Sequence, residues 1–414
     1  MKRNLLLCLF LPALLAAFAQ EQLPPWQRGY FDIHHISTGR GDCAYLIFPD
    51  GTTLLVDAGD MSDTRPRTLS PRNTARKPNA SRTAPEWIAD YIRQFAPQGR
   101  PPVLDYALIT HYHSDHYGEW DQTRPRSASG GYALTGIMAV GDQIPIRRLL
   151  DRGDDFPISL RDSALQSPDN LKTLREYWKF AEYHQQAHGQ QRQKLQPGSR
   201  SQIVPQYEPT AAPGFEVRNI ASNGQVWTGY ADDEHYNLFE QGQYPGENPL
   251  SNAIRIRYGR FDYFTGGDIS GVNPLGESDP NSIEAHVAPV IGPVDVATLN
   301  HHGNRDSQSA YFVRTLRPRV WIQQCWSSDH PGNDVLRRMI SRTLYPGDRD
   351  LFSTDMLEAN ELVIGDNIPN SYQSRHGHVV VRVEPGGDSY RVFVLNDDSE
   401  KREVKQVFGP YQSR

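Results

Sequence analysis

Cysteine is scarce in this 414-residue chain: Cys8, Cys43 and Cys325 are the only three. Cys8 falls in an N-terminal apolar leader. The other two lie in apolar, strand-like stretches, where a buried free thiol is the ordinary state. An oxidising compartment would permit a bridge between them, but nothing in the sequence brings them together. Long apolar runs are equally scarce. After residue 19 no segment is long enough to span a bilayer, so no stable membrane anchor is expected. Positive charge is not in excess, since 43 Lys and Arg against 49 Asp and Glu give a net charge of −6. That excludes a surface that is a basic nucleic-acid platform throughout, while leaving room for a local basic groove. No internal repeat of short fixed period is present. What is plentiful is glycine (33), proline (31) and aromatic residues (10%). Such a chain is ordered and turn-rich, and long enough for one large domain or two to three ordinary ones.

The first residues read as a targeting segment. Lys2 and Arg3 precede an apolar run over 5–18, and Ala17-Phe18-Ala19 resembles a small-residue cleavage site. A signal peptide over 1–19 is expected, with a periplasmic or secreted mature chain. The run is too short for a membrane anchor and Pro12 interrupts it. No Cys stands at the cleavage point, which argues against a lipoprotein.

Residues 30–60 read as strand, turn and strand, with Pro49-Asp50-Gly51 as a hairpin turn. Residues 61–82 carry Arg65, Arg67, Arg72, Arg76, Lys77 and Arg82 among Ser, Thr, Pro and Asn, and read as a flexible basic loop. Trp87, Ile88, Tyr91, Ile92 and Phe95 have helical spacing over 85–95. A strand over 103–109 follows. The long polar stretch 120–215 shows no clear strand pattern and reads as an insertion holding one amphipathic helix (Leu171, Leu174, Trp178, Ala181). Strands are predicted at 215–221, 253–258, 263–265, 296–299 and 320–323, helices at 309–316 and 333–340, and a hairpin at 378–383 and 390–395. Residues 396–414 read as a C-terminal tail. The whole predicts an α/β sandwich of sheets covered by helices, over 26–395.

Chemistry concentrates in His111-Tyr112-His113-Ser114-Asp115-His116, directly after a predicted strand. Imidazole nitrogen and carboxylate oxygen are ligands that zinc, and less often manganese or iron, accept. His111 and His113 are two apart and project to one side of an extended chain, while Asp115 and His116 follow a turn. Two further strands end in Gly266-Gly267-Asp268 and His301-His302-Gly303. One sheet rim could collect all three.

The ordered series resembles the metallo-β-lactamase fold, and within it the hydrolase-like domain of ComEC-type DNA-uptake proteins. Gly39-Arg40-Gly41-Asp42, Val56-Asp57-Ala58-Gly59, the H-x-H-x-D-H run, Asn248 with Ser251, Gly267-Asp268, His301-His302-Gly303 and His330-Pro331 carry the resemblance. It implies an αββα sandwich of two mixed sheets holding two divalent metal ions, zinc or else manganese. His111 and His113 would bind the first and Asp115 and His116 the second, with Asp268 bridging and His301 completing the second site. Asp115 would orient the nucleophile, and His330 would protonate the leaving group or bind a phosphoryl oxygen. Asp57 is either a partner fixing an imidazole below the cluster or an ordinary strand-end residue. Many such sequences carry a further histidine shortly before the bridging Asp. This chain has Asn248 and Ser251 in that region instead, which leaves the first metal's third ligand open.

The resemblance implies a small-molecule or nucleic-acid phosphodiester as substrate. Two rivals stand beside it. One is a lactam, lactone or thioester hydrolase, for which Tyr177, Trp178, Tyr183, Trp227 and Tyr230 would build an aromatic cup. The other is a non-catalytic binding module on the same fold. A basic groove beside the metals favours phosphodiesters, and an aromatic cup favours acyl substrates. His184 and His188, four apart, read as a solvated helix face, and His34 and His35 as structural. The oligomeric state is not legible.

Overall fold

Alternate residues of a strand point to opposite faces, and here both faces are used. The molecule, a computed structural model, is described over residues 22–162, 167–208, 210 and 212–414. The leader expected over 1–19 lies outside the described residues. In chain order the first sheet receives β1 (Phe31–His35), β2 (Ala44–Ile47), β3 (Thr53–Val56), β4 (Leu104–Leu108), β5 (Ile146–Asp151) and β6 (Gln191–Lys194). The second receives β7 (Phe215–Ser222), β8 (Gln225–Trp227), β9 (His235–Asn237), β10 (Ala253–Tyr258), β11 (Phe261–Thr265), β12 (Val296–Thr298), β13 (Val320–Gln323), β14 (Asp350–Ser353) and β15 (Tyr372–Ser374). The chain then returns to the first sheet with β16 (His378–Val383), β17 (Ser389–Leu395) and β18 (Val404–Gln412).

The strand orders are β18-β17-β16-β1-β2-β3-β4-β5-β6 and β15-β14-β13-β12-β11-β10-β7-β8-β9. Both sheets are mixed. The first is parallel from β3 to β6, and the second from β11 to β15. Leu46, Leu54, Val56, Tyr106 and Leu108 of the first sheet meet Ile254, Ile256, Tyr263, Val296 and Ile322 of the second in a central core. The intervening residues face outward. Tyr45, Leu55, Ala107 and Leu149 pack under α1 (Ala84–Phe95), α3 (Gly136–Gln143) and α4 (Pro168–His188), with the single-turn α2 (Ser114–Tyr117) beside them. Phe264, Ala297, Trp321 and Leu351 pack under α5 (Ile283–Ile291), α6 (Ala310–Leu316), α7 (Asn333–Ile340), α8 (Glu358–Ile364) and α9 (Asn367–Ser371). Helix, sheet, sheet, helix is the expected αββα sandwich.

Three readings need correction. The stretch 120–215 is not an insertion outside the sheet, because it supplies β5 and β6 as well as α3 and α4. β6 reads Gln-Arg-Gln-Lys and lies at a sheet edge, so no apolar alternation marks it. Residues 396–414 are not a tail, since β18 pairs with β17 and forms the other edge. His184 is not a solvated position. It is buried with its Nε2 2.8 Å from the Tyr132 hydroxyl, while His188 is exposed. His34 and His35 are buried on β1, and Cys43 and Cys325 are buried free thiols.

Candidate metal centre

The parallel strands β3, β4, β11, β12 and β13 all end at one rim, the carboxyl ends where open α/β sheets place ligands. Asp57 follows β3, the segment from Thr110 to His116 follows β4, Asp268 follows β11, His301 and His302 follow β12, and His330 lies beyond β13. Asn252 joins the two sheets at this rim: its N–H donates to Thr110 O and its side-chain amide to Ile109 O, both at 2.8 Å.

His111 and His113 leave β4 on one side, with His111 Nε2 3.0 Å from His113 Nδ1. The chain then turns through α2, which swings Asp115 and His116 around the same centre. Two glycines make room for that turn. A Cβ on Gly41 or on Gly59 would stand 2.1 Å from the Asp115 carbonyl oxygen, and Asp42 N–H donates to that oxygen at 2.8 Å. Gly267, at φ +55°, bends the β11 exit so that Asp268 enters the cluster, and Asp268 N–H donates to Ser251 Oγ at 3.1 Å.

Two donor groups result, sharing Asp268. One is His111, His113 and Asp268, and the other is Asp115, His116, Asp268 and His302. In the first, His111 Nε2 lies 3.5 Å from Asp268 Oδ2. In the second, His116 Nε2 lies 3.2 Å from Asp268 Oδ1, and His302 Nε2 lies 3.1 Å from Asp115 Oδ2 and 3.6 Å from Asp268 Oδ1.

His301, the expected ligand, is outside both groups. Residues 301 and 302 both take left-handed backbone angles (φ 47° and 56°), and this turn aims His302 inward. His302 Nδ1 faces Asp42 Oδ1 at 2.9 Å. His301 is turned toward Asp306 Oδ1, 2.6 Å from its Nδ1, and toward the Asn248 amide, 3.1 Å from its Nε2. Its Nε2 stays 3.8 Å from Asp268 Oδ2. Asn248 and Ser251 thus hold His301 and the Asp268 backbone, and neither joins the first donor group.

Asp57 fixes an imidazole. Its Oδ2 accepts from His116 Nδ1 at 2.8 Å and from the Thr110 hydroxyl at 2.7 Å, and its Oδ1 accepts from Thr110 N–H at 2.7 Å. His116 is left with Nε2 toward the centre, the arrangement that orients metal-binding histidines. Asp42 does the same for His302, a role not read from the sequence.

The donors fit divalent cations. His116 Nε2 and Asp268 Oδ1 are buried, face each other and have no hydrogen-bond partner. Burial opposes charge on each group. Even so, the carboxylates of Asp268, Asp115 and Asp57 push His116 up, and the imidazoles of His116 and His302 hold Asp268 well below the usual carboxylate range. The centre therefore draws positive charge inward, which two divalent ions would supply in place of protons.

Above the donors opens a cavity of about 430 Å³. His330 lines it, with its ring stacked on His302 at 4.7 Å between centroids and Trp326 N–H aimed at its Nδ1 (3.5 Å). Arg65, Arg67 and Thr68 of the basic loop form another wall. That loop is pinned rather than free. Arg65 pairs with Glu119 and Asp169, Arg72 with Asp329, Arg76 with Asp63, Lys77 with Asp398 and Arg82 with Asp90. Arg67 has no side-chain partner among the described residues, and its guanidinium is free at the cavity wall. None of the five aromatics expected as a cup lines this cavity. Tyr177 is in the core under α4, Trp178 and Tyr183 pack against that core, Trp227 packs under the second sheet, and Tyr230 is 91% exposed.

Comparison with known proteins agrees with this construction. Residues 41–127, from the close approach at Gly41 through the histidine run, match the family model of the Metallo-beta-lactamase superfamily. The sandwich, the donor groups and this match define the class: a metal-dependent hydrolase on the metallo-β-lactamase fold. A solved structure, described as a "putative metal-dependent hydrolase" from Parabacteroides distasonis ATCC 8503, aligns over 83% of this chain and 92% of its own, at 12% identity and a TM-score of 0.31. A likeness that loose carries no argument about substrate or mechanism. No curated protein matches the chain at a significant level.

Proposed function

We propose that this protein is an exported hydrolase of phosphodiester bonds. The observation that carries the reading is the wall of the 430 Å³ cavity, where the unpaired guanidinium of Arg67 stands beside the donor cluster and the aromatic cup that an acyl substrate would want is absent. A guanidinium matches a phosphate in charge and in its paired donors. The order of motifs, similar to that of ComEC-type domains, supports the same substrate class. Export rests on the leader features at 1–19; among the described residues no helix is long and apolar enough to cross a membrane.

His111, His113 and Asp268 would hold one divalent ion, zinc or manganese, and Asp115, His116, Asp268 and His302 the other. Such ions supply Lewis-acid stabilisation of charge developing on the phosphoryl oxygens and lower the pKa of water. The remaining tasks fall to side chains. Asp115 reaches the cavity floor with Oδ2 toward His302 and orients the attacking water. Arg67 holds a non-reacting phosphoryl oxygen. His330 presents Nε2 to the leaving oxygen, because its Nδ1 is turned to Trp326.

The test is a side-by-side rate comparison of bis(p-nitrophenyl) phosphate, nitrocefin and a lactone, with added Zn²⁺ or Mn²⁺ and Asp268→Ala as background. Faster turnover of the phosphodiester is expected. Turnover of nitrocefin or the lactone with no phosphodiester activity under either metal overturns the reading.

A further inference from the structure

A second cavity, of about 1030 Å³, adjoins the first. His113 and Asn248 line both, so the two spaces meet beside the donor cluster. The second is walled by the loop around Tyr244 to Pro249 and the loop from Ser270 to Gly276, and it carries Arg305. Arg305, like Arg67, is exposed and has no side-chain partner among the described residues. Carboxylates in this cavity are otherwise engaged: Glu247 by Arg152 at 2.6 Å, and Asp306 by His301. One uncompensated cation therefore stands in each cavity, with the reactive centre at their junction.

We infer that the substrate is a linear chain of repeating phosphodiesters that runs through both cavities, so that an internal bond is cut. This rests on the phosphodiester reading of the metal centre. A substrate that ended at the scissile bond would leave the second cavity and Arg305 without a role. A chain continuing on both sides places a backbone phosphate near Arg67 on one flank and another near Arg305 on the other. Each cavity has the volume of a small-molecule pocket, which suits a flexible single strand better than a rigid duplex. In the reaction, water oxygen bonds to phosphorus and the ester P–O bond breaks. The leaving oxygen takes a proton, giving one product with a terminal phosphate monoester and one with a hydroxyl. No free chain end is required.

Two measurements test this on the metal-loaded protein. The first uses a circular single-stranded oligothymidylate, which has no ends, and opening of the circle is expected. The second follows binding of a hydrolysis-resistant phosphorothioate oligothymidylate by fluorescence anisotropy across a salt series. Arg67→Ala and Arg305→Ala should each weaken binding by about threefold to tenfold and flatten the salt dependence by somewhat less than one unit of slope. Arg148→Ala serves as the control for loss of one positive charge, and binding should be unchanged. Arg148 lies at the opposite end of the first sheet, bonded to the Tyr106 hydroxyl at 2.9 Å. Circles left intact while linear strands are trimmed from their ends overturn the inference, as does wild-type binding by both variants. Hydrolysis of the small chromogenic diester alongside either of those results leaves the phosphodiester reading standing. An inert small diester removes that reading and this inference together.

Discussion

Asp57 Oδ2 stands 2.8 Å from His116 Nδ1, and this contact reaches from the end of one parallel strand to the loop after the next. It sets which imidazole nitrogen meets the metals. Asp57→Ala should therefore weaken metal binding by about tenfold to a hundredfold. Asp57→Asn, which can still accept from Thr110, should lose less. Competition against a chromogenic chelator measures both. Equal affinity in Asp57→Ala and wild type would reduce Asp57 to a turn residue.

His302 and His301 are neighbours with different tasks, and their alanine variants should separate them. His302→Ala removes a donor from the second group and should lower bound metal from about two ions per chain toward one. His301→Ala leaves both groups intact and should keep the stoichiometry. Elemental analysis after chelator-free purification gives the answer; the reverse pattern would restore His301 as the ligand.

Gly41→Ala should destabilise the fold and disturb the centre together. The added Cβ meets the Asp115 carbonyl oxygen at 2.1 Å, and residue 41 has φ +133°. Neither neighbour is a flexible side-chain end, so the backbone has to move, at about 1–3 kcal/mol. Thermal unfolding reads the loss of stability, and metal content reads the displacement of Asp115.

Acid should weaken the fold through a histidine remote from this chemistry. Burial pushes His35 down to about 3, against about 6.5 in an unfolded chain. Between those values the unfolded state binds a proton that the folded state refuses. Stability thus falls as pH drops below 6.5, by about 1.4 kcal/mol per pH unit for this one group. Urea unfolding between pH 7.5 and 4.5 should show the decline, and His35→Gln should show a shallower one whatever its stability at pH 7.5. Parallel declines would mean that His35 titrates as in the unfolded chain.

The readings that agree with the structure are those in which one residue type has one structural meaning. Alternating apolar runs such as Thr53 to Val56 gave strands, and glycines flanking Asp42 and Asp268 marked places where backbones pass closely. β6 was illegible because an edge strand of four polar residues buries no alternating face. β18 was missed because Val404, Phe408 and Tyr411 are interrupted by Gly409 and Pro410 and carry irregular register. The choice between His301 and His302 was beyond the sequence, since it depends on two successive left-handed residues that have no glycine to announce them. The basic loop misled through its composition: whether a guanidinium is free depends on carboxylates such as Asp169 and Asp329, which are remote in sequence.

β1 lies between β2 and β16, and Asp32 of β1 is held by both arms of Arg382, 350 positions later. A ribosome or a translocation channel delivers the chain from its beginning, so β1 can find only one of its two neighbours until nearly all of it has emerged. Until then the unfinished sheet offers an open edge, and closing it is a contact of very long range, which slows folding. The last hairpin is therefore the latch of the molecule. A chain that must be threaded through a membrane before it folds is well served by a latch that arrives last.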